Sequence, residues 1–146
     1  RRPPHTWPTK EDPPMRFASI RLIAADIEAM VGFYEMVTGR SADWLAPVFA
    51  EIVMPSATLA IGSAETVALF EAGSAEPRAN RTAIIEFMVD DVDADYARLK
   101  DRVEIIHAPK VMPWGNRSVQ FRDPEGTAVS LFMPVTDAAK ARFGSR

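Results

Sequence analysis

Apolar and polar positions alternate along Phe17-Ala18-Ser19-Ile20-Arg21-Leu22-Ile23-Ala24, and again along Thr82-Ala83-Ile84-Ile85-Glu86-Phe87-Met88-Val89. A period near two predicts strands with one covered face. Each run leads into an aspartate, Asp26 or Asp91, and the apolar spacing then becomes helical. Ile27, Met30, Val31, Tyr34 and Val37 form one stripe, and Val92, Tyr96 and Leu99 another. Each aspartate is a good helix N-cap, because its carboxylate accepts the orphan amide hydrogens of the first turn.

Shorter β-rich runs follow each predicted helix. In the first half they cover Phe49–Met54, Thr58–Ile61 and Thr66–Glu71. In the second half they cover Val103–Ile106, Asn116–Arg122 and Thr127–Met133. Gly39, Pro55-Ser56, Gly62-Ser63 and Gly126 punctuate them. Asp123-Pro124-Glu125-Gly126 reads as the tight turn of a closing hairpin, since proline presets φ at the second turn position and glycine is permissive at the fourth. The order is βαβββ, a linker over Gly73–Arg81, and βαβββ again, an α+β pattern of two modules, 15–72 and 82–134. Ala138–Phe143 predicts a short helix within a tail over 135–146. Two copies of one grammar suggest modules that close around something.

Residues 1–14 hold five prolines, which favour an extended, flexible arm. Met15 then reads as the natural start. A sharper alternative has the arm packing on a partner subunit through Trp7. Arg1-Arg2 is followed by no apolar export segment.

Composition narrows the chemistry. The 146 residues make one domain's worth of chain, with 47% hydrophobic and 25% charged residues. A net charge of −3 argues against a nucleic-acid partner, which would call for a basic face. No run of 18 apolar residues suggests a membrane span. Absence of cysteine removes thiol nucleophiles and zinc–thiolate sites, and is compatible with a reducing cytoplasm. Two histidines, His5 and His107, cannot build a multi-histidine metal site within one chain. His107, beside Pro109, is expected in an exposed loop. Neither histidine has an identifiable serine or carboxylate partner for a catalytic triad.

Alternation assigns faces. Ile20 and Leu22 share one side of the first strand, and Ser19, Arg21 and Ile23 the other. In the matching strand Ile85, Phe87 and Val89 oppose Ile84, Glu86 and Met88. The uniformly apolar sides belong against helices, which leaves the mixed sides for ligand. Arg21 and Glu86 match across the repeat, so an ion pair between them competes with a role for Glu86 as general base. Trp44 and Trp114 are placed in loops, with Trp114 a candidate for stacking on a ligand. Ser118 and Gln120 share its face.

Asp26…Phe33-Tyr34…Gly39, Asp90-Asp91-Val92-Asp93-Ala94 and the Asp123–Gly126 hairpin, in this order and spacing, resemble the vicinal-oxygen-chelate superfamily. That superfamily includes glyoxalase I, extradiol dioxygenases and bleomycin-resistance proteins. The resemblance covers about residues 17–134. It implies half-sheets curving around a cleft, helices outside, and a cleft often completed by a second chain, hence a homodimer. It also implies four metal-ligand positions: seven residues before each capping aspartate, four after the glycine of the closing turn, and the first-half equivalent of the last. Here these are Ser19, Ile84, Ser130 and about Ala68. None is a carboxylate, imidazole or amide, so the fold carries over without the metal chemistry. Phe70 and Phe132 fall beside Ala68 and Ser130 and are expected to fill the emptied site.

Three functions are open. The leading one is a metal-independent, cofactor-free binder of a small organic ligand, such as a sequestered drug, contacted by Arg21, Glu86, Met88, Trp114 and Gln120. The second is an atypical lyase, isomerase or dioxygenase-like enzyme using Glu86 as base and Arg21 to hold an anionic substrate. The third is a dimeric interaction module without a ligand.

Overall fold

The computed structural model describes residues 14–144. Most of the N-terminal extension, Trp7 included, lies outside the described residues. The elements are β1 (Ser19–Ala24), α1 (Ile27–Thr38), β2 (Asp43–Ala46), β3 (Phe49–Val53), β4 (Thr58–Ser63), β5 (Ile84–Met88), α2 (Val92–Leu99), β6 (Glu104–Val111), β7 (Asn116–Arg122), β8 (Ala128–Pro134) and α3 (Asp137–Gly144).

They form two four-stranded sheets of the same design. The first has order β1-β4-β3-β2 and the second β5-β8-β7-β6. In each, the outermost pair, β1 with β4 or β5 with β8, is parallel and the others are antiparallel. The fold is thus α+β with two βαβββ modules. The sheets are not closed: no ladder joins one to the other among the described residues.

Both helices start where the aspartates predict. Asp26 accepts from the Ala29 amide at 3.1 Å and Asp91 from the Ala94 amide at 3.0 Å. Gly39 ends α1 in the left-handed region, at φ 70°, a conformation that glycine adopts without the Cβ clash.

Two features of the first module depart from the sequence reading. The segment 66–71 is not a strand. Ser63 accepts from the Glu65 amide and the Thr66 hydroxyl bonds back to the Ser63 carbonyl, which winds Ala64–Leu69 into a 3-10 helix. Serine and threonine compete with a ladder through such local bonds. The missing strand is supplied by β2, so Trp44 lies on a strand rather than in a loop. In the second module His107 lies on β6 and is half-buried.

One core serves both modules. From β1 and β4 it takes Leu22, Leu59 and Ile61, and from the second sheet Ile85, Val119, Phe121, Val129 and Leu131. Helix α1 bridges the two. Its Phe33 ring lies 6.0 Å from Phe121, and its Tyr34 ring 6.5 Å from Phe87. Arg98 of α2 donates to the Met36 and Val37 carbonyls, satisfying acceptors that the end of α1 leaves orphaned.

The hairpin turn completes the junction. Glu125 accepts from the amides of Ala25 and Asp26 at 2.9 and 2.8 Å. Asp123 accepts from the Tyr34 hydroxyl at 2.8 Å, and from the amides of Glu125 and Thr127. Both carboxylates are buried. Burial first, and then the charge and hydrogen bond of Asp123, push the Tyr34 phenol far above the ordinary tyrosine range.

The sign of this coupling is checkable. A phenol that stays protonated in the folded chain but ionises in the unfolded chain favours folding below the unfolded pKa, near 10, and loses that contribution as pH rises above it. The expected slope from this residue is about 1.4 kcal/mol per pH unit. Urea denaturation above pH ~10 should therefore show a shallower loss of stability in Tyr34→Phe than in the parent chain. Parallel pH profiles would exclude Tyr34 as the source.

Candidate ligand-binding site

Strand register decides which positions are equivalent. Ser19 pairs with Thr58 on β4, and Ile84 with Ala128 on β8. Two residues further along, Arg21 pairs with Ala60 and Glu86 with Ser130. The first-module counterpart of Ser130 is therefore Ala60, not Ala68, which lies in the 3-10 helix. Alternating apolar residues at 67 and 69 mimic a strand there. Phe70 follows that helix and is largely exposed, whereas Phe132 is buried against Phe143 of α3, with ring centroids 5.2 Å apart.

The corrected set, Ser19, Ala60, Ile84 and Ser130, does not fit a divalent cation. Two neutral hydroxyls and two alkyl groups offer no anionic or imidazole donor to offset dehydration of the ion. Ser130 is also engaged, accepting from Gln120 Nε2 at 3.0 Å. No group of three or more His, Cys, Asp or Glu side chains among the described residues is arranged to hold a metal.

The expected face assignment holds for β5, where Ile85 is buried and Ile84 and Met88 are about half-exposed. In β1 Leu22 is buried, but Ile20, on the same side, is exposed. The five ligand-contact candidates do not converge on one cavity. Arg21 carries its guanidinium 4.4 Å from the Phe49 ring centroid and 5.3 Å from that of Phe70, in cation–π geometry. It makes no ion pair with Glu86 among the described residues. Trp114 borders a separate depression beside Ala138, Ala141 and Arg142 of α3. Gln120 belongs to a small cavity on the mixed face of the second sheet.

Glu86 and Met88 do come together. They line a groove of about 330 Å³ along the free edge of β5. Its other walls include Phe17, Ile20, Met54 and Leu59 from the first module. Ile20 and Leu59 belong to the apolar side of the first sheet, so the groove is a mouth opening toward the shared core. Glu86 is the only ionisable residue among its described lining. Alternation alone could not reveal Phe17 or Met54, because both flank strands and their place depends on how the modules dock. The available signal was the exposure of apolar side chains at the ends of β1 and β3.

This architecture matches known proteins. The family model described as Glyoxalase/Bleomycin resistance protein/Dioxygenase superfamily matches residues 16–131, and the chain belongs to that superfamily. A glyoxalase/bleomycin resistance protein/dioxygenase from Nocardioides shares 26% identity, with 88% of each chain covered and a TM-score of 0.69. A lactoylglutathione lyase from Agrobacterium tumefaciens shares 25% identity over 84% of this chain and 96% of its own, with a TM-score of 0.66. A family enzyme from Burkholderia phytofirmans PsJN, at 19% identity, covers 83% of this chain and 100% of its own with a TM-score of 0.73, a likeness of fold alone. No curated protein matches the chain.

The donor set makes a direct prediction. Ni²⁺, Mn²⁺ or Zn²⁺ should leave the melting temperature unchanged, whereas an ion bound at a hundredfold excess over its dissociation constant would add about 2.7 kcal/mol. Differential scanning calorimetry of the dialysed protein with each ion checks this.

Proposed function

We propose that the chain is a metal-independent binding protein that sequesters a small organic ligand without turnover. The observation that carries this reading is the groove at β5, apolar along most of its length and with Glu86 as the one charge among its described lining. Its volume lies at the lower end of the range for small-molecule sites. Apolar walls with a single carboxylate suit an organic cation: Phe17, Met54 and Met88 would cover its apolar body, and Glu86 its positive group. Drug sequestration in a reducing cytoplasm is one role open to such a binder. Because no arginine among the described residues pairs with Glu86, general-base chemistry at this carboxylate is the second reading.

The test compares octyltrimethylammonium with octanol by calorimetric titration. The cation should bind more tightly, and Glu86→Gln should weaken it about tenfold, as loss of one charge-assisted contact implies. The octanol affinity should not change. Equal affinity for the two probes, or stoichiometric Fe, Mn, Ni or Zn surviving dialysis, would defeat the reading. Turnover that Glu86→Gln abolishes while binding persists would favour the second.

A homodimer belongs to the same proposal. Both β1 and β5 are edge strands, and exposed Phe17, Ile84 and Met88 adjoin them. Unprotected edges with apolar neighbours favour association. Sedimentation equilibrium should then give twice the 16.1 kDa chain mass. A single-chain mass at micromolar concentration would rule the dimer out.

A further inference from the structure

The mixed face of the second sheet holds a separate cavity of about 170 Å³. Ile84, Ile106 and Ala128 supply apolar walls, and Arg81 and Arg122 are the charged residues among its described lining. No carboxylate lies among the described lining residues. Ile84 is the one described residue that this cavity shares with the β5 groove, and ligand binding in that groove is no condition for occupancy of the cavity.

Both cations are presented by fixed backbone. Arg122 projects from β7 and donates through Nη1 to the Gly126 carbonyl at 2.9 Å. Its Nε lies 3.7 Å from Glu104, whose side chain is largely exposed. Such a solvent-facing pair is weak and leaves the rest of the guanidinium fork open to another acceptor. Arg81 sits in a turn pinned by Asn80. The Asn80 side chain accepts from the amides of Thr82 and Ala83 and donates to the Ala83 carbonyl. Arg81 meets no carboxylate among the described residues.

We propose that this cavity binds a short-chain monocarboxylate. The arginines take the carboxylate, for which the guanidinium fork is matched in geometry, and the alkyl chain lies against Ile84, Ile106 and Ala128. Size sets the chain length. At roughly 30 Å³ per water-sized group the cavity holds about six non-hydrogen atoms, the number in butyrate. Inorganic phosphate satisfies the arginines but gains nothing from the apolar walls, and a neutral amide of the same shape does the reverse.

Nuclear magnetic resonance titration of the full chain with butyrate tests the site. Saturable shifts are expected at the amides of Ile84, Ile106, Gln120 and Ala128, with a dissociation constant on the order of 1 mM. Arg81→Gln, at an exposed position, should weaken binding about tenfold. Ala128→Leu should abolish it by filling the cavity. Butyramide and phosphate should bind at least tenfold more weakly than butyrate. Shifts that do not saturate, an unchanged affinity in Arg81→Gln, or phosphate binding as tightly as butyrate would overturn the proposal. The last result would reduce the site to general attraction of anions.

Discussion

The two carboxylates of the β7–β8 turn fix the relation between the modules. Glu125 reaches across the junction to two backbone amides at the start of α1. Asp123 holds the Tyr34 hydroxyl further along the same helix. Both acids are buried, so these hydrogen bonds are made in surroundings where an unpaired carboxylate would be costly. Each acid also serves its local backbone: Glu125 sits at the positive end of α1, and Asp123 closes its own turn through the amides of Glu125 and Thr127. A turn that sequence reading assigns to one hairpin thereby also locks a helix of the other module. The fixed angle lets Phe33 and Tyr34 pack on the second sheet, and it determines which strand edges remain open.

The β5 groove follows from that docking. Its floor draws on residues from both sheets, and the single charge among its described lining belongs to the second. Packing α1 against both sheets closes the far part of the inter-module space and leaves a mouth near β1 and β5. The exposed apolar side chains around it, Phe17, Ile84 and Met88, look anomalous strand by strand but are coherent as walls of one concavity. The mixed faces are covered in part from within the chain: the 3-10 helix packs over Gly62, where Thr66 would crowd any added Cβ, and α3 seats Phe143 on Phe132. Open space therefore survives along the β5 edge and at one end of the mixed face of the second sheet.

The elements best read from the sequence are those that local chemistry determines. Asp26 and Asp91 cap helices because a carboxylate three residues before a free amide does so in any context. The hairpin around Pro124 and Gly126 follows equally from φ preferences. Errors cluster where a competing local bond or a distant partner decides. Val67 and Leu69 alternate like a strand, yet Ser63 and Thr66 turn the backbone away from the sheet. Trp44 next to Leu45 and Pro47 resembles a loop, and it is pairing with β3 that makes β2 a strand. The repeat matches Arg21 with Glu86, but repeat equivalence is a statement about each module's interior. The distance between equivalent residues depends on the docking angle, which the turn carboxylates set through contacts some 90 to 100 residues apart in the chain.

The second module shows what has become of the emptied chelate positions. Ser130 lies between Glu86 on β5 and Gln120 on β7, and the Gln120 amide satisfies its hydroxyl. A buried hydroxyl met by a neutral amide is stable without an ion, and it offers no anionic donor to attract one. Charge has withdrawn to the margins of this face, with Glu86 at the β5 edge and Arg122 toward the closing turn. Glu86 borders the β5 groove and Arg122 a separate cavity, so the two charges stand at different places on the second sheet. On the reading proposed above, these separated charges of opposite sign, each carried by a strand, would hold ligands by shape and charge.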